Sequence, residues 1–192
     1  MNTISVMIVG VGGQGTLLAS KVLGQALVSM DYDVKVSEVH GMSQRGGSVV
    51  TYVRYGDEVH SPIVDLGEAD YMLAFEPLEA ARYLPYLKKD GVIITNTRET
   101  MPMPVITGAA AYPENIVEKL KARANVVALD AMQLALEAGS AKAVNMVLMG
   151  VLAARMDLPE DVWQDALTKQ VPAKFLELNR RAFALGQAQK GV

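Results

Sequence analysis

The chain has 192 residues, 51% of them hydrophobic, which suits one domain with a substantial core. A net charge of −3 and a pI near 5.4 argue against nucleic acid as a partner. Cysteine is absent and there are 2 histidines, which excludes disulfides and cysteine-held iron–sulfur clusters and leaves a metal site mostly carboxylates to draw on.

The chain opens on an apolar, β-branched run, residues 4–9, with the length of a buried strand. Gly10-Val11-Gly12-Gly13-Gln14-Gly15 follows. Residues 16–30 predict a helix, with Leu23, Ala26, Leu27 and Met30 at helical spacing and Lys21, Gln25 and Ser29 on another face. The glycines therefore fall in a strand-to-helix turn, where glycine permits positive φ and lets a ligand approach bare backbone. The helix N-terminus adds unpaired N–H groups and partial positive charge. This reads as an anion site held by Gly10, Gly12, Gly13, Gln14, Gly15 and Thr16, with a purely structural tight turn as the alternative. A nucleotide-triphosphatase loop is disfavoured, because Thr16-Leu17 stands where Lys-Ser/Thr is needed.

Residues 34–40 predict a second strand, followed by the glycine-bounded loop Gly41-Met42-Ser43-Gln44-Arg45-Gly46-Gly47. Residues 48–54 predict a third strand, and Tyr55-Gly56-Asp57-Glu58 a hairpin turn into a fourth at 59–64. Further strands are expected at 71–75, 91–96 and 126–129, and a short one near Val105-Ile106 after the extended linker Met101-Pro102-Met103-Pro104. Helices are expected from Pro77 to about residue 87 and at 115–124. From about residue 132 everything reads as helix, at 132–137, 143–156, 159–169 and 174–187. The expected fold is α/β: a Rossmann-like, mostly parallel sheet with helices on both faces, a β-hairpin insertion and a C-terminal helical segment, in one domain over residues 1–192. No signal segment stands ahead of the first strand, and the apolar stretch 143–154 contains Asn145 and is too short for a membrane span. The expectation is a cytoplasmic protein with no membrane contact.

Ligands of such sheets collect beyond the carboxyl ends of the strands. That places Gly10 to Gly15, Glu38 to Arg45, Glu76, Asn96 and Asp130 together, and brings the two glycine loops close if the first two strands are neighbours. Arg45 with Gly46 and Gly47 offers a planar guanidinium fork as a second anion clamp, helped by Ser43 and Gln44; a plain surface loop is the alternative. Glu38 stands where a dinucleotide fold keeps its ribose-binding carboxylate, though a solvated strand end fits it better. His40, Ser43 and Asp130 suggest a hydrolase, but the segment lacks the second glycine of a nucleophile elbow and leads into a strand. His60 reads as an exposed hairpin residue. Helix 143–156 is apolar nearly all round, so its Val144, Val147, Leu148, Val151 and Leu152 face reads as core; its Met146, Met149 and Met156 face stays open between core and subunit interface.

Taken together, these residues resemble a known family. Gly10 to Gly15, followed by a helix rich in small residues, resembles the gamma-type domain of 2-oxoacid:ferredoxin oxidoreductases. The block Ser37-Glu38-Val39-His40-Gly41-Met42-Ser43-Gln44-Arg45-Gly46-Gly47-Ser48-Val49 is similar to the indolepyruvate branch of that family, as are Ser61-Pro62, Glu76 to Ala80, Tyr83 to Leu87 and Val144 to Leu148. The resemblance runs from about Ile4 to Leu185. It implies a complex that decarboxylates an aryl 2-oxoacid on thiamine diphosphate, passes electrons through iron–sulfur clusters to ferredoxin, and hands the acyl group to coenzyme A. With no cysteine and no thiamine-site pattern here, it also implies a large partner subunit carrying both groups. This chain is left with coenzyme A as a possible ligand. Other 2-oxoacids, pyruvate or 2-oxoglutarate, stay open, as do a nicotinamide-dependent dehydrogenase using the same turn with Glu38 and a non-catalytic scaffold.

Overall fold

The computed structural model describes residues 3–41, 43 and 46–189. Gln44 and Arg45 lie outside the described residues. The elements run β1 (Ile4–Val11), α1 (Thr16–Val28), β2 (Asp33–His40), β3 (Ser48–Gly56), β4 (Ala69–Ala74), α2 (Pro77–Tyr83), β5 (Leu87–Asn96), α3 (Met103–Ile106), α4 (Ile116–Lys121) and β6 (Asn125–Leu129). Four more helices follow: α5 (Ala131–Ala138), α6 (Val144–Ala153), α7 (Glu160–Gln170) and α8 (Leu176–Gln187).

The strands form one six-stranded sheet in the order β2-β3-β1-β4-β5-β6. β1, β4, β5 and β6 run parallel, as helical crossovers require, whereas β3 lies antiparallel to both β1 and β2. Side chains alternate across the sheet. Val6 and Ile8 enter one core with α1, α5, α6, α7 and α8; Met7 and Val9 enter a smaller one with α2 and α4. The expected α/β architecture with helices on both faces is present.

The hairpin lies elsewhere than expected. Residues 59–64 form no strand; instead β2 and β3 pair antiparallel through the Gly41–Gly47 loop, in a register running from Asp33↔Gly56 to His40↔Val49. The reason is geometric. β3 pairs with β1 on one edge and β2 on the other, so it has no edge left for residues 59–64. That segment is pinned by side chains. Asp33 accepts from the Val59 N–H at 2.8 Å, and Arg54 donates from Nη1 to the Ile63 carbonyl at 2.7 Å. Val59 and Val64 are buried as single anchors, five residues apart and so not on one face of a strand. β3 also separates β1 from β2, so those two strands are not neighbours.

A second correction concerns Val105-Ile106, which belong to α3 rather than a strand. Pro104 in the first turn suits a helix start, and the Val105 and Ile106 N–H groups both donate to the Pro102 carbonyl.

Both faces of α6 are core: Met146 and Met149 are fully buried, as are Val147, Leu148 and Val151. α6 crosses α8 backbone to backbone. A Cβ on Gly150 would lie 2.0 Å from the Phe183 carbonyl oxygen, and one on Gly186 would lie 2.0 Å from that of Val147. Among the described residues no helix is long and apolar enough to cross a membrane.

Candidate functional site

The glycine turn links β1 to α1 at the carboxyl end of the sheet. Gly13 and Gly15 adopt φ of 101° and 85°, so the turn does require glycine. Gly15 caps α1 with no side-chain hydrogen bond, and the first turn of α1 carries no acidic residue. Its N–H groups and dipole are left without a neutralising carboxylate there. Gln14 braces the turn rather than pointing outward. Its Oε1 accepts from the Val11 N–H at 2.7 Å, and its Nε2 donates to Thr100 Oγ1 at 3.5 Å. Gly10 leaves the room this needs, since a Cβ there would lie 2.7 Å from Gln14 Oε1. Thr16 is buried at the first position of α1. From below, Asn145 on α6 donates through Nδ2 to the Gly15 carbonyl at 3.3 Å.

The two glycine loops meet, although β1 and β2 are not adjacent. β3 starts beside the end of β1, at Val11↔Ser48, so the loop that precedes it lands on the turn. The Gly12 N–H donates to the Gly47 carbonyl at 2.8 Å and the Gly46 N–H to the Gly12 carbonyl at 3.3 Å. Gly46 has φ 77°, and a Cβ on Gly47 would lie 2.7 Å from the Ser43 carbonyl oxygen. Gly12, Gly46 and Gly47 are therefore stitching residues. Ser43 is exposed in the same loop.

Against this turn lies a cavity of about 430 Å³ over the ends of β1, β4, β5 and β6. Gly13, Gln14 and Gly15 form one wall, and Phe75, Met132 and Val144 supply apolar surface. Asn96, Arg98 and Lys142 line it as well. Asn96 is 3% exposed; its Oδ1 accepts from the Ala131 N–H at 3.1 Å. Arg98 and Lys142 are exposed, and among the described residues neither is in an ion pair. Two unneutralised cations and a helix N-terminus make this an anion-attracting pocket with a partly apolar floor.

A smaller cavity of about 250 Å³ lies on the other side of the turn, lined by Gly12, Gly13, Thr16, Glu38, His40 and Val49. Glu38 accepts from Thr51 Oγ1 at 3.2 Å across the β2–β3 ladder. In a dinucleotide fold the ribose carboxylate sits on the strand next to the glycine turn; here β3 takes that place. His60 is exposed, beside Glu58 rather than on a strand.

Glu76 stands between β4 and α2 and is 1% exposed. It caps α2 by accepting from the Glu79 N–H at 3.0 Å through Oε2, while Oε1 accepts from the Thr100 N–H at 3.3 Å and from the Tyr112 hydroxyl. Burial pushes the Glu76 carboxyl above its ordinary range, against the opposing pull of these donors. Asp130 caps α5 by accepting from the Gln133 N–H at 3.0 Å. Among the described residues no group of three or more His, Asp or Glu could hold a metal ion.

Sequence reading put Asn96 and Glu76 at this end of the sheet but passed over Arg98, Thr100 and Lys142. Arg98 and Thr100 follow closely on the carboxyl end of β5, the one cue available. Lys142 reaches the pocket only because the α5–α6 connection folds back over it, which no local pattern records.

Comparison with known proteins fits this architecture. Residues 5–189 match the family model described as pyruvate ferredoxin/flavodoxin oxidoreductase. An indolepyruvate oxidoreductase subunit IorB from Thermococcus kodakarensis is 44% identical over 193 residues, covering 97% of this chain and 95% of the relative. The pyruvate oxidoreductase subunit PORC of Thermotoga maritima shares the fold at a TM-score of 0.76 and 19% identity, covering 98% of this chain and 97% of that one. A 2-oxoglutarate:ferredoxin oxidoreductase from Magnetococcus marinus, solved with 2-oxoglutarate, coenzyme A and succinyl-CoA bound, matches at a TM-score of 0.68 and 17% identity, over 99% of this chain but 31% of that one. With nearly its whole length matched, the chain belongs to the pyruvate ferredoxin/flavodoxin oxidoreductase family.

Proposed function

We propose that this chain is the small subunit of a 2-oxoacid:ferredoxin oxidoreductase acting on aryl pyruvates such as indolepyruvate, and that it forms one wall of the coenzyme A site. The near-complete match to an indolepyruvate oxidoreductase subunit supports the substrate class. The reaction oxidatively decarboxylates the 2-oxoacid to an acyl-CoA and reduces ferredoxin. Iron–sulfur clusters are held by cysteine thiolates, and this chain has none, so its residues do not fit a cluster. Thiamine diphosphate and the clusters belong on a larger partner subunit, which also meets ferredoxin; the complex works in the cytoplasm.

The observation that carries the coenzyme A role is the cavity in which Arg98, Lys142 and the bare N-terminus of α1 converge beside apolar Phe75, Met132 and Val144. Phosphate groups suit the cationic side, and the pantetheine arm suits the apolar one. Holding a remote phosphate handle positions the thiol for acyl transfer at the partner's active site. Arg45, with Ser43, Gln44, Gly46 and Gly47, is proposed as a further grip on the same anion. In the assembled complex, Arg98→Ala and Lys142→Ala should each raise the KM for coenzyme A by about tenfold or more, the scale of one charge-assisted contact. Unchanged KM values with normal assembly would remove the cavity from that role.

A further inference from the structure

Arg98 and Thr100 line the cavity, and the loop they open runs on to Tyr112, where a single carboxylate oxygen closes it. Glu76 Oε1 accepts from the Thr100 N–H at one end of the loop and from the Tyr112 hydroxyl at the other. Inside the loop the backbone bonds are self-contained: Thr107 N–H to the Met103 carbonyl at 2.9 Å, Ala109 N–H to that of Pro104 at 2.8 Å, and Ala110 N–H to the same Pro104 carbonyl at 3.0 Å. Its side chains are largely exposed, with Met103 at 67% and Ile106 at 66%. Core packing therefore holds this stretch only at its far end, where the Tyr112 ring lies against the smaller core. Its polar ties to the body include Glu76 at both ends, Thr97 N–H to the Leu129 carbonyl, Thr100 to Gln14, and the Leu78 backbone at the Tyr112 hydroxyl.

Thr100 is the junction. Its N–H is held by Glu76, its hydroxyl accepts from Gln14, and Gln14 braces the glycine turn. Arg98 lies two residues before it on the same rim. We infer that Glu76 is a positioning residue: by stapling Thr100 and Tyr112 to the N-terminal end of α2, it sets the distance between the Arg98 side of the cavity and the α1 N-terminus. A carboxyl group at 1% exposure that gathers the Glu79 and Thr100 N–H groups and the Tyr112 hydroxyl is a costly device for a loop that needed only to be connected. The cost is intelligible if the rim must be held in register with the turn. This inference rests on the coenzyme A reading of the cavity, and it adds that the acyl acceptor's affinity depends on a residue out of its reach.

The test uses the assembled complex. Tyr112→Phe removes one arm of the staple and leaves the ring in place. It should speed amide hydrogen exchange over residues 101–111 and raise the KM for coenzyme A by about fivefold to tenfold, with kcat and the KM for the 2-oxoacid within about twofold, the scale of one lost hydrogen bond. Glu76→Gln, which keeps an acceptor, should retain more coenzyme A affinity than Glu76→Ala. Faster exchange with an unchanged KM for coenzyme A, while Arg98→Ala raises it, would overturn the positioning role and leave the site standing. Unchanged exchange in Tyr112→Phe would overturn the staple itself. Unchanged KM values in Arg98→Ala and Lys142→Ala would bring down the site, and this inference with it.

Discussion

Asn145 donates from Nδ2 to the Gly15 carbonyl at 3.3 Å, tying the glycine turn to the most buried helix of the molecule. The same nitrogen would lie 2.7 Å from a Cβ at Gly15, whose φ is 85°. Gly15 is thus fixed twice, by backbone conformation and by this neighbour. Gly15→Ala should cost about 1–3 kcal/mol in unfolding free energy, combining left-handed strain with overpacking. Chemical denaturation of the purified chain checks it; Asn145→Ala in the same background should recover part of the loss by removing the clash.

The crossing of α6 and α8 predicts a larger effect far from the cavity. A methyl group at Gly150 or Gly186 would overlap backbone atoms, which cannot turn aside as a flexible side chain can. Gly150→Ala should destabilise the fold by about 3 kcal/mol or more, beyond ordinary overpacking. A change in thermal midpoint of only a degree or two would show that the helices separate easily.

Glu76 gives a pH signature with a definite sign. Its folded-state value is raised above 4.5, chiefly by burial. The folded protein therefore binds this proton more tightly than the unfolded chain does. Stability contributed by Glu76 is full below pH 4.5 and declines as pH rises from there through the raised value. Unfolding free energy measured across that range should fall more steeply with pH in the wild type than in Glu76→Gln. A shallower wild-type slope would contradict the burial-dominated shift.

Asp33 has the opposite sign. Its hydrogen bond from Lys35, and then that from the Val59 N–H, hold its carboxyl below 3.8. Its contribution is present above that value and lost as pH falls through the lowered one. Asp33→Asn should weaken the anchoring of residues 57–66 near neutral pH, seen as faster amide exchange there, and the difference from wild type should shrink in acid. An unchanged exchange pattern would assign the anchoring to Arg54 alone.

Where each element's own residues dictated its form, the fold was legible. The run 4–9, the glycines after it and the apolar spacing of 16–30 specify a strand, a turn and a helix by local rules, and β1 and α1 stand there. The hairpin lies elsewhere than residues 48–64 suggest because pairing is a long-range property: β3 has two partners already, and Val59 and Val64 are buried as anchors of a non-strand segment. The site was legible on one side only. Gly10 to Thr16 announce themselves through conformation, and the cations facing them arrive from the loop that follows β5 and from the α5–α6 connection, whose sequences show no period. Gly186 also passed unnoticed, since a close helix crossing needs knowledge of the opposite helix.

The stitching of Gly12 to Gly46 and Gly47 makes the two glycine loops a single mechanical piece. A protein that gripped Gly46 and Gly47 would therefore pull on the glycine turn ahead of α1 without entering the cavity. On the proposed function, assembly and ligand affinity would then be one variable, because whatever leans on Gly46 and Gly47 also leans on the turn that faces the anion.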